Sequence, residues 1–267
     1  LSFHDDGRLG LPLGVLQGQN LALLLEKLFA RAGAVNDFDD LPIPFRAVAA
    51  DIATGEAVVF ADGYLALAVR ASMSIPAILT PVEVNGRLLV DGGISNNIPV
   101  DIARSMGVDR VIVVDIGSPL AATESLHTVF NILNQSVALL TRRNSEAQLA
   151  TLQQQDILIQ PDLAGFSITD FARARGLMDA GYRAADALQW RFAALSQPLQ
   201  EPLRLPSNQK KTKSKPVISA VRIHNTSKVG DEVVRYYIRQ KIGEPLDIEQ
   251  LQKDMGTLYG LEYFDRI

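Results

Sequence analysis

The densest group of residues able to do chemistry is Asp91, Gly92 and Gly93, which follow an apolar segment and precede Asn96 and Asn97. A carboxylate that ends a strand can project into a crevice at the carboxyl edge of an open sheet. Glycines at this place permit a positive φ or the close approach of a neighbouring segment. Taken alone, Asp-Gly-Gly is more typical of an ordinary turn than of a catalytic site.

The serines that could act as nucleophiles are Ser72, Ser74 and Ser95. None of them lies in a Gly-x-Ser-x-Gly sequence. A serine in a turn usually bonds to its own backbone, which is what we expect of Ser95. His4 and His127 are expected to be solvated polar residues. Cysteine is absent, which excludes disulfides, zinc thiolates and cysteine nucleophiles. We therefore expect no metal and no cofactor.

The composition is that of a globular protein, with 47% hydrophobic and 21% charged residues in 267. The net charge of −4 argues against a basic nucleic-acid surface, so nucleic acid is not an expected partner. The first residues include neither an initiator Met nor a signal peptide, and residues 263–267 resemble a strand cut short. These ends predict a segment of a longer polypeptide.

Helical and strand-like segments alternate over the first two hundred residues, which predicts an α/β fold. The expected helices are 21–31, 99–106, 126–140 and 177–195, and the expected strands are 45–50, 110–114 and 157–159. The apolar run 110–114 favours a strand buried on both faces, and Trp190 and Phe192 are expected in the core. The pair Asn85-Gly86 predicts a two-residue hairpin that leads into Asp91.

Residues 198–216 contain four prolines and four lysines, the pattern of a semi-extended linker. The lysines are most simply solvated, although a basic patch for lipid headgroups stays open. After this linker the pattern predicts a strand at 217–223, two helices between 230 and 259, and a strand from 262 onward. A β-α-α-β unit of this size buries little apolar surface by itself.

The order of these segments resembles the C-terminal half of patatin-like phospholipases. The resemblance rests on Ser-Met-Ser-Ile-Pro at 72–76, the Asn-Gly hairpin, Asp-Gly-Gly at 91–93, Asn-Ile-Pro at 97–99 and the closing helix around Tyr182. It implies a three-layer α/β/α domain over residues 1–197 whose N-terminal part is missing.

The resemblance also implies a mechanism. In that family a serine in a Gly-x-Ser-x-Gly elbow attacks an acyl ester, an aspartate acts as its base, and a glycine-rich loop forms the oxyanion hole. Asp91 matches the family's aspartate, and Gly92 and Gly93 form its motif turn. The implied substrate is a phospholipid or fatty-acyl ester.

This sequence departs from the family because it lacks both the serine elbow and the glycine-rich loop. The nucleophile is therefore unknown, and this chain by itself is expected to be inactive. Either the sequence begins after the first part of the catalytic domain, or a cleavage has separated that part, which then stays docked as another chain. The apolar segment 9–28 is interpreted as a core helix, with an acyl-chain channel or lid as the alternative.

Residues 217–267 resemble an incomplete POTRA domain. A patatin domain followed by a POTRA domain is similar to bacterial patatin-like autotransporters, in which an outer-membrane barrel, absent from this chain, follows. The resemblance implies a secreted or outer-membrane-associated parent protein in a Gram-negative bacterium. The alternative function is a non-catalytic interaction module, because an exposed strand edge of the POTRA-like unit 217–267 could bind strands of a partner or support self-association.

Overall fold

The computed structural model describes residues 2–3, 9–10, 14–16, 18–33, 35–117, 120, 122–166, 170–193, 195, 216–225, 227 and 229–261. Predictions for His4, for residues 198–215 and for a strand from 262 onward lie outside these residues. The strands are β1 (Ser2–Phe3), β2 (Leu9–Gly10), β3 (Gly14–Leu16), β4 (Ala47–Asp51), β5 (Ala57–Phe60), β6 (Ala77–Leu79), β7 (Val82–Val84), β8 (Arg87–Asp91), β9 (Ile112–Val114) and β10 (Ile157–Ile159).

The helices alternate with these strands, so the α/β prediction is confirmed. They are α1 (Gln19–Phe29), α2 (Leu65–Ser72), α3 (Gly93–Asn96), α4 (Val100–Ser105), α5 (Val129–Leu149), α6 (Ala174–Asp186), α7 (Gln189–Ala193), α8 (Asp231–Tyr237) and α9 (Ile248–Tyr259). Within the described part of the chain, none of these helices is both long and apolar enough to cross a membrane.

The chain forms two compact units. The first comprises residues 1–47, 60–83 and 204–267, and the second comprises residues 48–59 and 84–203. In the first unit β3 pairs in parallel with β6, and α1 packs on α2. Its core surrounds Phe38, which is completely buried against Ala47, Leu65 and Ala68.

A four-stranded sheet with the order β5-β4-β8-β7 carries Asp91 at the end of β8. Strands β7 and β8 form the predicted hairpin. Asn85 and Gly86 have φ values of 52° and 76°, as a two-residue turn of this kind requires. The antiparallel pairing of β4 with β8 sets Ala49 opposite Asp91.

Strands β9 and β10 of the second unit pair in parallel, with α5 in the crossover between them, as parallel pairing requires. The prediction that residues 110–114 form a strand buried on both faces is wrong. Val111 and Val113 are buried in a cluster with Ile98 and Val100, whereas Ile112 and Val114 are 50% and 54% exposed. The described sheet has only these two strands, and the cluster covers one of its faces.

Two further predictions are wrong. Trp190 is not in the core, because it lies on the short helix α7 and is 68% exposed. The Arg191 guanidinium lies 5.7 Å from its ring centroid. Phe192 is half-buried. Residues 217–223 do not form a strand, because Val217 makes one isolated bridge to Pro245 and the next residues join no ladder. The two helices predicted after them are present as α8 and α9.

Candidate functional site

Strand β8 delivers Asp91 to the end of its sheet. Leu89 and Val90 are almost completely buried, so the strand is anchored just before the aspartate. The backbone then turns directly into helix α3, whose first residue is Gly93. The placement of Asp91 at a strand end, expected from the sequence, is therefore what the structure has.

Gly92 and Gly93 are needed for space and not for a positive φ. Gly92 has a φ of −66°, and Gly93 is not among the residues with positive φ. A Cβ on Gly92 would lie 2.2 Å from the carbonyl oxygen of Val48. Of the two roles proposed for these glycines, the close approach of a neighbouring strand is correct and the positive φ is wrong.

The carboxylate of Asp91 is held by the residue two positions later, because the Gly93 N–H donates to its Oδ1 at 2.7 Å. Burial raises the pKa of Asp91, and the hydrogen bond from Gly93 opposes part of that shift. Desolvation makes a carboxylate a stronger base. Asp91 is thus a fixed, partly buried carboxylate with one oxygen occupied by a backbone donor.

Asn96 is the second notable polar residue of this segment. It is 8% exposed, and its Nδ2 donates to Asp101 Oδ1 at 2.9 Å. Its Oδ1 is the one buried side-chain polar atom among the described residues that lacks a hydrogen-bond partner. A buried acceptor without a donor costs about 1–3 kcal/mol, so this position fits an N–H or O–H donor from another group.

Sequence reasoning missed the polar side of helix α5 that faces α3. Asn144 Nδ2 donates to the carbonyls of Gly93 and Ile94 at 2.8 and 3.0 Å, and Asn144 Oδ1 accepts the Asn97 N–H at 3.0 Å. The predicted helix ended at 140, whereas α5 continues to Leu149. Asn144, Ser145 and Gln148, at positions i, i+1 and i+4, were the available signal that this extension carries a polar face.

The hydroxyls of two candidate serines, Ser74 and Ser95, bond to carbonyls of their own segments. Ser95 Oγ donates to Gly92 O at 3.3 Å, as expected for a serine in a turn. Ser74 is completely buried, with its Oγ donating to Arg70 O at 2.8 Å and accepting from Arg70 Nη1 at 2.6 Å. Ser72 is the last residue of α2.

The remaining candidates stay outside this site. His127 is exposed ahead of α5, whose N-terminus is capped by the Thr128 side chain. Arg142 lies within α5 and pairs with Glu146 at 2.9 Å. No group of three or more His, Cys, Asp or Glu residues that could hold a metal occurs in the described portion of the chain.

Comparison with protein families matches both parts of the chain. Residues 3–104 match the family model described as patatin-like phospholipase. Residues 216–267 match the POTRA model, described as surface antigen variable number repeat. The first match includes Asp91, Gly92, Gly93 and the asparagines that follow.

Curated relatives agree with the first match. Patatin-like phospholipase domain-containing protein 7 of Rattus norvegicus is 30% identical over 173 residues, which cover 56% of this chain and 13% of the relative. Patatin-like phospholipase domain-containing protein 6 of Mus musculus is 46% identical over 82 residues, covering 30% of this chain and 6% of the relative. An uncharacterized NTE family protein of Mycobacterium tuberculosis is 44% identical over 78 residues, covering 29% of this chain and 22% of the relative. The chain thus spans less than a quarter of each of these relatives.

The fold is α/β, and within it residues 3–104 are similar to patatin-like phospholipases. Residues 216–267 are similar to a POTRA segment.

Proposed function

We propose that this chain is part of a lipid acyl hydrolase of the phospholipase A type, in which Asp91 is the general base of a Ser-Asp dyad. The observation that carries the proposal is the state of Asp91. Its carboxylate lies at the end of β8 inside the patatin-like match, one oxygen is fixed by Gly93, and burial raises its pKa. A general base works best when its pKa is brought toward the working pH.

In this mechanism Asp91 takes the proton from a serine hydroxyl while the serine oxygen attacks the carbonyl carbon of an acyl ester. The tetrahedral intermediate collapses, the alcohol leaves with the proton from Asp91, and an acyl-enzyme remains. Water then attacks the acyl carbonyl carbon while Asp91 takes a proton from it. The bond to the serine oxygen breaks, Asp91 returns the proton to that oxygen, and the fatty acid is released. Hydrogen-bond donors outside this chain would stabilise the oxyanion.

The serine is proposed to come from a segment outside this chain, either an earlier part of the polypeptide or a separate docked piece. One observation supports this: the hydroxyls of Ser74 and Ser95 bond to carbonyls of their own segments.

We also propose that residues 1–197 form the patatin-like part, 198–216 a linker and 217–267 an incomplete POTRA domain. The match of residues 216–267 to the surface antigen repeat supports a partner-binding role beside the hydrolase. It likewise supports a parent protein of the autotransporter type, secreted or attached to the outer membrane of a Gram-negative bacterium.

The test compares two aspartates of similar geometry in the longer polypeptide that includes the serine segment. Asp115 also follows a strand, and its Oδ1 accepts the Gly117 N–H at 2.9 Å. With phosphatidylcholine vesicles as substrate, Asp91→Asn should lower kcat by about a thousandfold or more, because asparagine cannot accept the serine proton. Asp115→Asn should retain activity. If Asp91→Asn hydrolyses the vesicles at near the normal rate, Asp91 is not the base.

A second arm uses this chain alone, with its purity established by intact mass. It should not hydrolyse p-nitrophenyl esters above background. Turnover that tracks this single species would mean that the nucleophile lies within the chain.

A further inference from the structure

The segment that follows Asp91 is held by one side chain from a distant part of the sequence. Asn144, on α5, bonds to three backbone groups of residues 93–97: two carbonyls through its Nδ2 and one N–H through its Oδ1. All three distances are 3.0 Å or shorter. A single amide therefore fixes almost the whole length of α3.

Helix α3 requires such a partner because of its length. It has four residues, Gly93–Asn96, and the last four carbonyls of any helix have no partner within the helix. Every carbonyl of α3 is therefore a terminal one. Asn144 satisfies the first two, which a longer helix would satisfy with its next turn.

Neighbouring polar residues of α5 extend the same contact. Asn97 Nδ2 donates to Ser145 Oγ at 3.0 Å, and Gln148 Oε1 accepts the Asp101 N–H at 3.1 Å. Ser145 is buried, and its own hydroxyl donates to the Thr141 carbonyl. These bonds tie α5 to the turn and to the first turn of α4.

We propose that Asn144 is a positioning residue for Asp91, acting through Gly93. Asn144 bonds to the carbonyl of Gly93 at 2.8 Å, and the N–H of the same glycine bonds to the Asp91 carboxylate at 2.7 Å. The inference rests on the proposed function, because it assigns Asn144 to the orientation of the base in that reaction.

The chain of contacts has a chemical consequence. The Gly93 N–H lowers the pKa of Asp91 against the larger effect of burial. If Gly93 is released, that bond weakens and the pKa of Asp91 rises further. The limb of the rate profile that reports deprotonation of the base then moves to higher pH.

The experiment uses the longer polypeptide with the serine segment and compares three variants on phosphatidylcholine vesicles. Asn144→Ala removes all three bonds. Asn144→Asp keeps the acceptor for Asn97 but loses both donors to Gly93 and Ile94. Arg143→Ala is the control, since Arg143 is the adjacent, exposed residue of α5.

Both Asn144 variants should lower kcat by about 10- to 100-fold with little change in KM, as small displacements of a reacting group do. The acidic limb of their pH–rate profile should shift to higher pH. Arg143→Ala should match the wild type in both kcat and the position of this limb. An unchanged kcat, or a loss of kcat that follows the fall in Tm without a shift of the acidic limb, would overturn the inference.

A readout that does not depend on catalysis separates this inference from the proposed function. In this chain alone, amide hydrogen exchange at Gly93 should be at least tenfold faster in Asn144→Ala than in Arg143→Ala. Equal exchange in the two variants overturns the positioning role whatever the activity. Full activity of Asp91→Asn refutes the proposed function instead, and the role of Asn144 in catalysis falls with it.

Discussion

Gly92 and Val48 are in such close contact that a single added carbon would not fit between them. A Cβ on Gly92 would lie 2.2 Å from the Val48 carbonyl oxygen and 2.7 Å from its carbonyl carbon. Both are backbone atoms, and Val48 lies in the buried strand β4. The turn after Asp91 is thus packed directly on the sheet, which leaves the aspartate little freedom.

The first prediction concerns stability. Gly92→Ala should lower the free energy of unfolding by about 2 kcal/mol or more, because the new methyl group meets backbone that cannot move aside easily. Urea denaturation followed by circular dichroism measures the change. Gly181→Ala is the control, since Gly181 lies within α6 and a Cβ there meets nothing within 4 Å. It should stabilise by about 0.5–1 kcal/mol, and similar values for the two variants would contradict the packing argument.

The second prediction concerns the neighbouring glycine. A Cβ on Gly93 would lie 2.9 Å from Asp91 Oδ1 and 3.0 Å from Asn97 Oδ1, and both side chains can rotate away. Gly93→Ala should therefore cost less stability than Gly92→Ala but should displace the Asp91 carboxylate. Loss of the Gly93 bond and closer apolar contact both raise the pKa of Asp91. Carboxyl ¹³C titration should show this rise, and an unchanged pKa would refute the displacement.

Much of this site could be predicted from local sequence. The Asn-Gly turn fixed the hairpin, and the hairpin placed Asp91 at a strand end. The need for glycine at position 92 could be guessed, but its reason could not, because the Val48 carbonyl is brought there by pairing of β4 with β8. The same applies to Asn144, which is 51 residues from Gly93 and meets it only in the folded chain.

The main errors also have a tertiary cause. Residues 110–114 and 217–223 carry patterns typical of strands, yet burial and ladder pairing depend on which segments lie beside them. Ile112 is exposed because the described sheet has only β9 and β10. Val217 finds a single bridge partner, Pro245. Pattern alone does not supply the missing neighbour.

The third prediction follows from the raised pKa of Asp91. An acid whose pKa is raised by folding destabilises the folded state once it is ionised, so the penalty is present above the raised pKa and absent below the unfolded value of about 4. Asp91→Asn removes the charge, and its amide oxygen can still accept the Gly93 N–H. The variant should therefore raise Tm by about 1–3 °C at pH 7 and by nothing at pH 3.

Scanning calorimetry at both pH values measures the effect, with Asp115→Asn as the matched variant. Asp115 makes the same backbone bond to the residue two positions later and also accepts from Gln160 Nε2 at 3.0 Å. Asp115→Asn should not raise Tm at pH 7. A Tm for Asp91→Asn that is lower than the wild type at pH 7 would show that the ionised carboxylate stabilises the fold.

The fourth prediction concerns Asp156, whose side chain is completely buried beside Arg104. Burial raises the pKa of Asp156, but the N–H groups of Gln153 and Val111 and the Arg104 guanidinium together lower it. Asp156→Asn should cost about 2–4 kcal/mol at pH 7, since it breaks a buried ion pair and sets an NH₂ group against N–H donors. Urea denaturation checks the value.

Asp156→Asn should also change how the stability of the fold depends on pH. A lowered pKa stabilises the fold above the unfolded value of about 4, and that stabilisation is lost as the pH falls through the lowered pKa. The gap between wild type and Asp156→Asn should therefore narrow below pH 4. The exposed Asp162, which caps only its own turn through the Ala164 N–H, supplies a control that should change stability by less than about 0.5 kcal/mol. A gap that does not narrow in acid would contradict the role of the charge.

The last prediction concerns helices α1 and α9 of the first unit. Gln252, on α9, donates from Nε2 to the Leu23 carbonyl of α1 at 2.7 Å, and α9 buries Leu258 completely. We expect α9 to stabilise α1, so removal of residues 217–267 should speed amide exchange in Gln19–Phe29 by about tenfold or more. Gln252→Ala should produce a smaller increase in the same helix. Glu249→Ala is the control, because its pairing with Lys27 at 3.8 Å joins two exposed side chains and such pairs contribute about 0–1 kcal/mol. Exchange in α1 that is indifferent to both the truncation and Gln252→Ala would mean that the C-terminal segment folds without supporting it.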